Sequence, residues 1–177
     1  MPRHRPPRSS FPVSSCDCND CRAACTNSPG WFMPWEVLRL AKHLDLSVED
    51  CFRKHLAVGV THMPDGSQRH GVMPHKLRDG KKPGSVWTLG ELSVPGRCSF
   101  FDRGLCTIHA VRPWECARMI HGPAHKATKL RQEVVAQWDD DALRPYAEWT
   151  KRRLFGSAPK PRAQQRPRRT RNKDDQR

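Results

Sequence analysis

Residues 16–32 read CDCNDCRAACTNSPGWF, and four of the first ten are cysteine. Free cysteine usually packs as a small hydrophobe, but this run is mostly polar or small and offers little core to pack into. Thiols so crowded are better explained by a metal that takes the place of a core. Cys18 and Cys21 form a CxxC pair, a spacing that turns two sulfurs toward one ion, and Cys25 follows within reach of them. Soft thiolates select zinc, copper(I) or iron–sulfur clusters over hard cations.

Further along, residues 98–116 read CSFFDRGLCTIHAVRPWEC and bring in Cys98, Cys106 and Cys116. Ligands drawn from both groups would tie the start of a domain to its end, adding binding energy to folding. The expected fold is a small α+β domain, mainly helical and loop-rich, organised around a cysteine-ligated metal centre. Its candidate ligands are Cys18, Cys21, Cys25, Cys98, Cys106 and Cys116, with Cys16 and His109 open as further members. The expected cofactor is zinc or iron, the latter including an iron–sulfur cluster. Arg112, between Val111 and Pro113, is placed to offset thiolate charge, donating to nearby carbonyls or pairing with Glu115. Gly104 permits a tight approach before Cys106. Cys51 stands apart, on the apolar side of a helix, and is read as core.

Between the two groups, Val37, Leu40, Ala41 and Leu44 recur at helical spacing after Pro34, and Glu36 suits the positive end of that helix. Ser47 followed by Asp50 marks the start of a second short helix. Residues 57–62 are expected as a strand, and residues 63–85, broken by Gly and Pro, as an exposed irregular connection carrying His70 and His75. His62 closes the expected strand, and none of these histidines belongs to an HExxH pattern. Residues 85–92 are read as another strand, and residues 124–138 and 144–154 as helices.

The net charge of +14 is unevenly spread. Residues 151–177 hold eleven Lys or Arg against Asp174 and Asp175, and Arg3, Arg5 and Arg8 add to the start, so the middle is close to neutral. That argues against a folded face built for nucleic acid and leaves the tail as a possible contact for nucleic acid or another anionic partner. The expected organisation is a disordered basic leader over 1–15, a cysteine-cluster domain over 16–155 and a disordered basic tail over 156–177. No apolar run has the length of a membrane span, and none follows the basic start as in a secretory signal. The cytoplasm is the expected compartment, where cysteines stay reduced unless they act as ligands.

With CNDCRAACTNSPGWFMPWEV (residues 18–37) and GLCTIHAVRPWEC (residues 104–116) in this order, the chain resembles the YkgJ-type cysteine-cluster family, zinc- or iron-chelating domains with the pattern CxxCxxCC. The resemblance covers roughly residues 16–122. It places the family's first two cysteines on Cys18 and Cys21, the last of the initial group on Cys25, and the later ones on Cys98, Cys106 and Cys116. Ala24 stands where the family has the other member of its adjacent pair, and Ala117, then Arg118, where it often has Arg directly. The resemblance implies metal binding without fixing an activity. Some related proteins are flagellin lysine methylases with an iron–sulfur centre, so an iron–sulfur enzyme is one alternative to a binding domain, and a metal-stabilised module with a nucleic-acid-contacting tail is another. No catalytic residue is assigned.

Overall fold

The computed structural model describes residues 19–119 and 124–157. These build a small α+β fold with seven α-helices and three two-stranded antiparallel sheets. The expected basic leader lies outside the described residues, as does the tail beyond Ser157. The chain stays attached through Ser157, whose N–H donates to the Trp138 carbonyl at 2.7 Å.

Helix α1 (Asn19–Asn27) carries Cys21 and Cys25 and is followed by a turn through Pro29 and Gly30. Helix α2 (Pro34–His43) starts with proline in its first turn, where no amide donor is missed. Helix α3 (Val48–His55) starts at Ser47, whose hydroxyl accepts the Asp50 N–H at 3.0 Å. Both helices turn the apolar residues read from the sequence inward, and Cys51 lies wholly buried beside Phe52.

Strand β1 (Leu56–His62) pairs with β2 (Gln68–Pro74), which overturns the expectation of an exposed irregular connection. The stretch QRHGVMP has few β-branched residues and no clean alternation, so its own sequence signals a strand poorly. It is held by what packs around it. Gly59 and Gly71 sit opposite one another in the hairpin. A Cβ at Gly59 would stand 2.5 Å from the Trp31 ring, and one at Gly71 would stand 3.1 Å from it. The paired glycines therefore form the seat for Trp31. His70 and His75 are correspondingly buried, not exposed, while His62 stays on the surface.

Residues 85–92 are likewise not a strand. Val86 makes a single bridge to Val58, and helix α4 (Leu89–Ser93) follows. Thr88 accepts the Glu91 N–H while Glu91 accepts the Thr88 N–H, a reciprocal cap that ends the extended backbone. Strand β3 (Lys76–Leu77) pairs with β4 (Arg97–Cys98), setting Cys98 opposite Lys76. The short hairpin of β5 (Phe101–Asp102) and β6 (Leu105–Cys106) turns through Arg103 and Gly104, both at positive φ. Gly104 serves that turn by its conformation, since nothing lies within 4 Å of where its Cβ would be. The tight approach expected there is absent.

A 3₁₀ turn (His109–Val111) leads to helix α5 (Trp114–Arg118), which packs on α6 (Ala124–Val135). The last helix, α7 (Asp140–Thr150), begins four residues before the expected start, because Asp139 accepts the Ala142 N–H at 2.8 Å and caps it there. The core has two parts. Phe32, Phe52, Val72, Trp138 and Tyr146 centre one, and Trp31, Trp87, Trp114 and Leu130 centre the other. The Trp138 indole joins the interior to the first segment by donating to the Phe32 carbonyl at 2.8 Å.

Candidate metal centre

Four elements bring their cysteines to one place. Cys25 comes from α1, Cys98 ends β4, Cys106 ends β6 and Cys116 lies in α5, and all four line one cavity of about 380 Å³. Gly30, Pro74, Phe100, Ile108 and Met119 supply mainly apolar walls, with Arg22, His109 and Arg112 contributing charge or polarity. Cys18 lies outside the described residues, as do Cys16 and the side chain of Cys21, whose backbone belongs to α1. Cys51 is elsewhere, in the core.

The convergence is held by an exchange of carboxylates between the two cysteine segments. Glu36, in Pro34-Trp35-Glu36, accepts the Trp114 N–H at 3.0 and 3.1 Å and the Met33 N–H at 3.0 Å. Glu115, in Pro113-Trp114-Glu115, accepts the Trp31 N–H at 2.8 Å and is paired with Arg131 at 2.9 Å. Each segment thus satisfies backbone donors of the other. Burial raises the pKa of both carboxyls, while these donors and the facing arginines oppose the rise. Arg131 also donates to the Pro29 carbonyl at 3.1 Å and stacks over Trp31 at 4.8 Å. The expected Arg112–Glu115 pair is replaced by Arg131–Glu115, because α6 delivers Arg131 to the buried side of α5. Arg112 instead meets the His109 ring and faces Cys106. Spacing places Glu36 only at the start of α2 and Glu115 only beside Arg112, and it gives Arg131 no part in the site. The tripeptide Pro-Trp-Glu, present at 34–36 and again at 113–115, is the signal that could have found the two glutamates.

Gly30 brings the first segment hard against α5. A Cβ there would stand 2.7 Å from the Cys116 nitrogen and 2.8 Å from its sulfur. The Gly30 backbone donates to the Cys116 sulfur, as the backbone of Phe100 and Phe101 does to Cys98 and that of Ile108 to Cys106. Amide donors aimed at sulfur favour the thiolate.

Burial has the opposite and larger effect. It pushes the Cys98 thiol up to about 12, with the neighbouring Cys25 and Cys106 adding to the rise. Cys116 goes well above the ordinary thiol range, from burial and then from Cys98, Glu115 and Cys25, while Cys25 rises from burial and from Cys106. Cys106 is raised by burial and partly relieved by the Ile108 N–H and the Arg112 charge. The sulfurs thus feel one another's charge, and only a cation among them could make several thiolates at once favourable.

Among the described residues, no three of His, Cys, Asp and Glu gather closely enough to hold an ion. The donor chemistry suits a soft metal, but the described thiols surround a space and do not close on a point.

No protein-family model matches the chain, and neither a curated protein nor a solved structure matches it. Among the described residues no helix is long and apolar enough to cross a membrane.

Proposed function

We propose that this chain is a cysteine-cluster metal-binding protein that holds zinc or an iron–sulfur centre between α1, β4, β6 and α5. One observation carries the reading: Cys25, Cys98, Cys106 and Cys116, spread over four elements, face one cavity. Cytosolic thiols without a ligand role have no reason to converge so, and the amides directed at three of these sulfurs favour thiolates. Cys18 and Cys21, seven and four residues before Cys25 in the sequence, are the remaining donors of this site. A cavity-wide spread of sulfurs suits a centre of several metal atoms, or a single ion approached by rotation of the cysteine side chains.

The chain's own contribution is to position and shield. The Glu36 and Glu115 exchange fixes Cys116 against Gly30, the apolar walls exclude water, and Arg112 offsets thiolate charge near Cys106. When bound, zinc would supply a redox-silent crosslink, and an iron–sulfur cluster an electron store. The resemblance to YkgJ-type domains is consistent with either.

Elemental analysis of anaerobically purified protein, paired with its visible spectrum, tests the reading. Zinc on the order of one per chain with no visible bands makes the centre structural, whereas iron with matching sulfide and charge-transfer bands makes it a cluster. Neither metal near stoichiometry defeats the proposal.

A further inference from the structure

After Lys151 turns the chain out of α7 at positive φ, residues 152–157 run back against β2 as a strap. His70 and Phe155 join strap to strand by two hydrogen bonds. The His70 backbone N–H donates to the Phe155 carbonyl at 2.8 Å, and the Phe155 N–H donates to His70 Nδ1 at 2.9 Å. The two rings lie 5.6 Å apart, and the Arg153 guanidinium sits 5.2 Å over the Phe155 ring. Further along, the Gly156 N–H donates to Asp140 at 2.9 Å.

One of these acceptors depends on a proton. The Phe155 and Trp138 carbonyls accept at any pH, whereas an imidazole nitrogen accepts only while it carries no hydrogen. With Nδ1 as the acceptor, the neutral ring keeps its proton on Nε2. Protonation makes both nitrogens donors and sets Nδ1–H against the Phe155 N–H. The Phe155 carbonyl can take that new proton, but it cannot give the Phe155 N–H an acceptor. His70 is also only 7% exposed, so its charged form is poorly solvated.

The surroundings do little to favour the cation. Strand β1 sets Val60 opposite His70, and α6 packs Val135 on the neighbouring Gly71. Arg131 of α6 is paired with Glu115, and Glu133 acts on Arg118. The charged groups closest along the chain and the strap are Arg69 on β2, Asp139 and Asp140 at the start of α7, and Arg153. Burial lowers the pKa of the His70 ring, and the Phe155 carbonyl offsets part of that fall.

We propose that His70 is a pH-operated latch: its neutral ring holds the strap on β2, and protonation of Nδ1 releases residues 152–157, with Arg152 and Arg153, from the body. A histidine whose folded pKa is depressed stabilises the closed state fully above the ordinary value of 6.5 and loses that contribution as pH falls below it. The latch does not depend on a metal being bound.

The test is residue-resolved amide hydrogen exchange on the full chain at pH 7.5 and pH 5, expressed as protection factors, which divide out the intrinsic pH dependence of exchange. Protection of Phe155 and Ser157 is expected to fall by about tenfold over this range, the size that linkage to one histidine allows. The fall follows the titration of the His70 ring recorded by NMR on the same samples. Phe32, whose N–H donates to the Val72 carbonyl on the same strand, keeps its protection. His70→Asn puts a non-titrating oxygen near the place of Nδ1, so the ratio of Phe155 protection between the two pH values drops to about one, whatever its level at pH 7.5. Unchanged Phe155 protection in the wild type, a fall that does not follow the His70 ring, an equal fall at Phe32, or the same fall in His70→Asn overturns the latch.

Discussion

Glu36 accepts the backbone N–H of Trp114 through both carboxylate oxygens across 78 residues of chain. Glu115 returns the contact by accepting the N–H of Trp31. Because two buried carboxylates close the same junction, the loss of either frees donors that the interior cannot otherwise satisfy. Glu36→Ala is expected to cost about 1–3 kcal/mol, the desolvation penalty of an unmet buried polar group. Glu115→Ala, which strips Arg131 of a fully buried partner, is expected to cost about 3–5 kcal/mol. The double variant should lose less than the sum, since both substitutions open one junction. Urea unfolding of the three variants checks this, and strict additivity would mean that the two carboxylates act independently.

Gly30 has no room for a methyl group. Gly30→Ala is expected to destabilise the chain by about 1–3 kcal/mol through overpacking against Cys116 and to speed metal loss to a chelator. Gly90, in α4 and with nothing within 4 Å of its Cβ position, is the control. Gly90→Ala should be neutral or stabilising by up to about 1 kcal/mol with metal release unchanged. Thermal unfolding and chelator kinetics on the pair separate the two effects.

Glu91 is tied by Lys81 at 2.6 Å and by Thr88, and these contacts hold its pKa down to about 2 from 4.5. A depressed carboxyl stabilises the fold above its unfolded value and loses that contribution as pH falls toward its folded value. The advantage of wild type over Glu91→Gln should therefore be full above about pH 4.5 and fade as pH drops toward about 2, reaching about 1 kcal/mol at neutral pH, as caps do. Unfolding midpoints across this range measure it. A stability gap that instead widened with acid would show that Glu91 is not held ionised.

The parts legible in the sequence were those that local chemistry determines. Pro34 and Ser47 mark helix starts, Val37, Leu40 and Ala41 mark a buried face, and residues 57–62 signal a strand by composition. Strand β2 was illegible because Gly71 and His70 derive their place from Trp31 and Phe155, which lie far away in sequence. Helix α4 was misread as extended because Val86 and Trp87 favour a strand, whereas Thr88 and Glu91 end it. At the candidate site, cysteine density marked the right segments. The charge partners were not legible, since spacing favours the near pair Arg112 and Glu115 while the buried acid is matched by Arg131 from another helix.

Cys51 and Cys116 divide the central claim most directly, because both are cysteines in helices and only Cys116 lines the cavity. The decisive measurement is the metal-to-protein ratio of anaerobically purified Cys116→Ser and Cys51→Ser, compared with wild type. The account predicts that Cys116→Ser loses most of its metal, while Cys51→Ser keeps the wild-type ratio and shows only a stability loss of about 1–3 kcal/mol from a hydroxyl in the core. Wild-type metal content in Cys116→Ser, or equal loss in both variants, would contradict it.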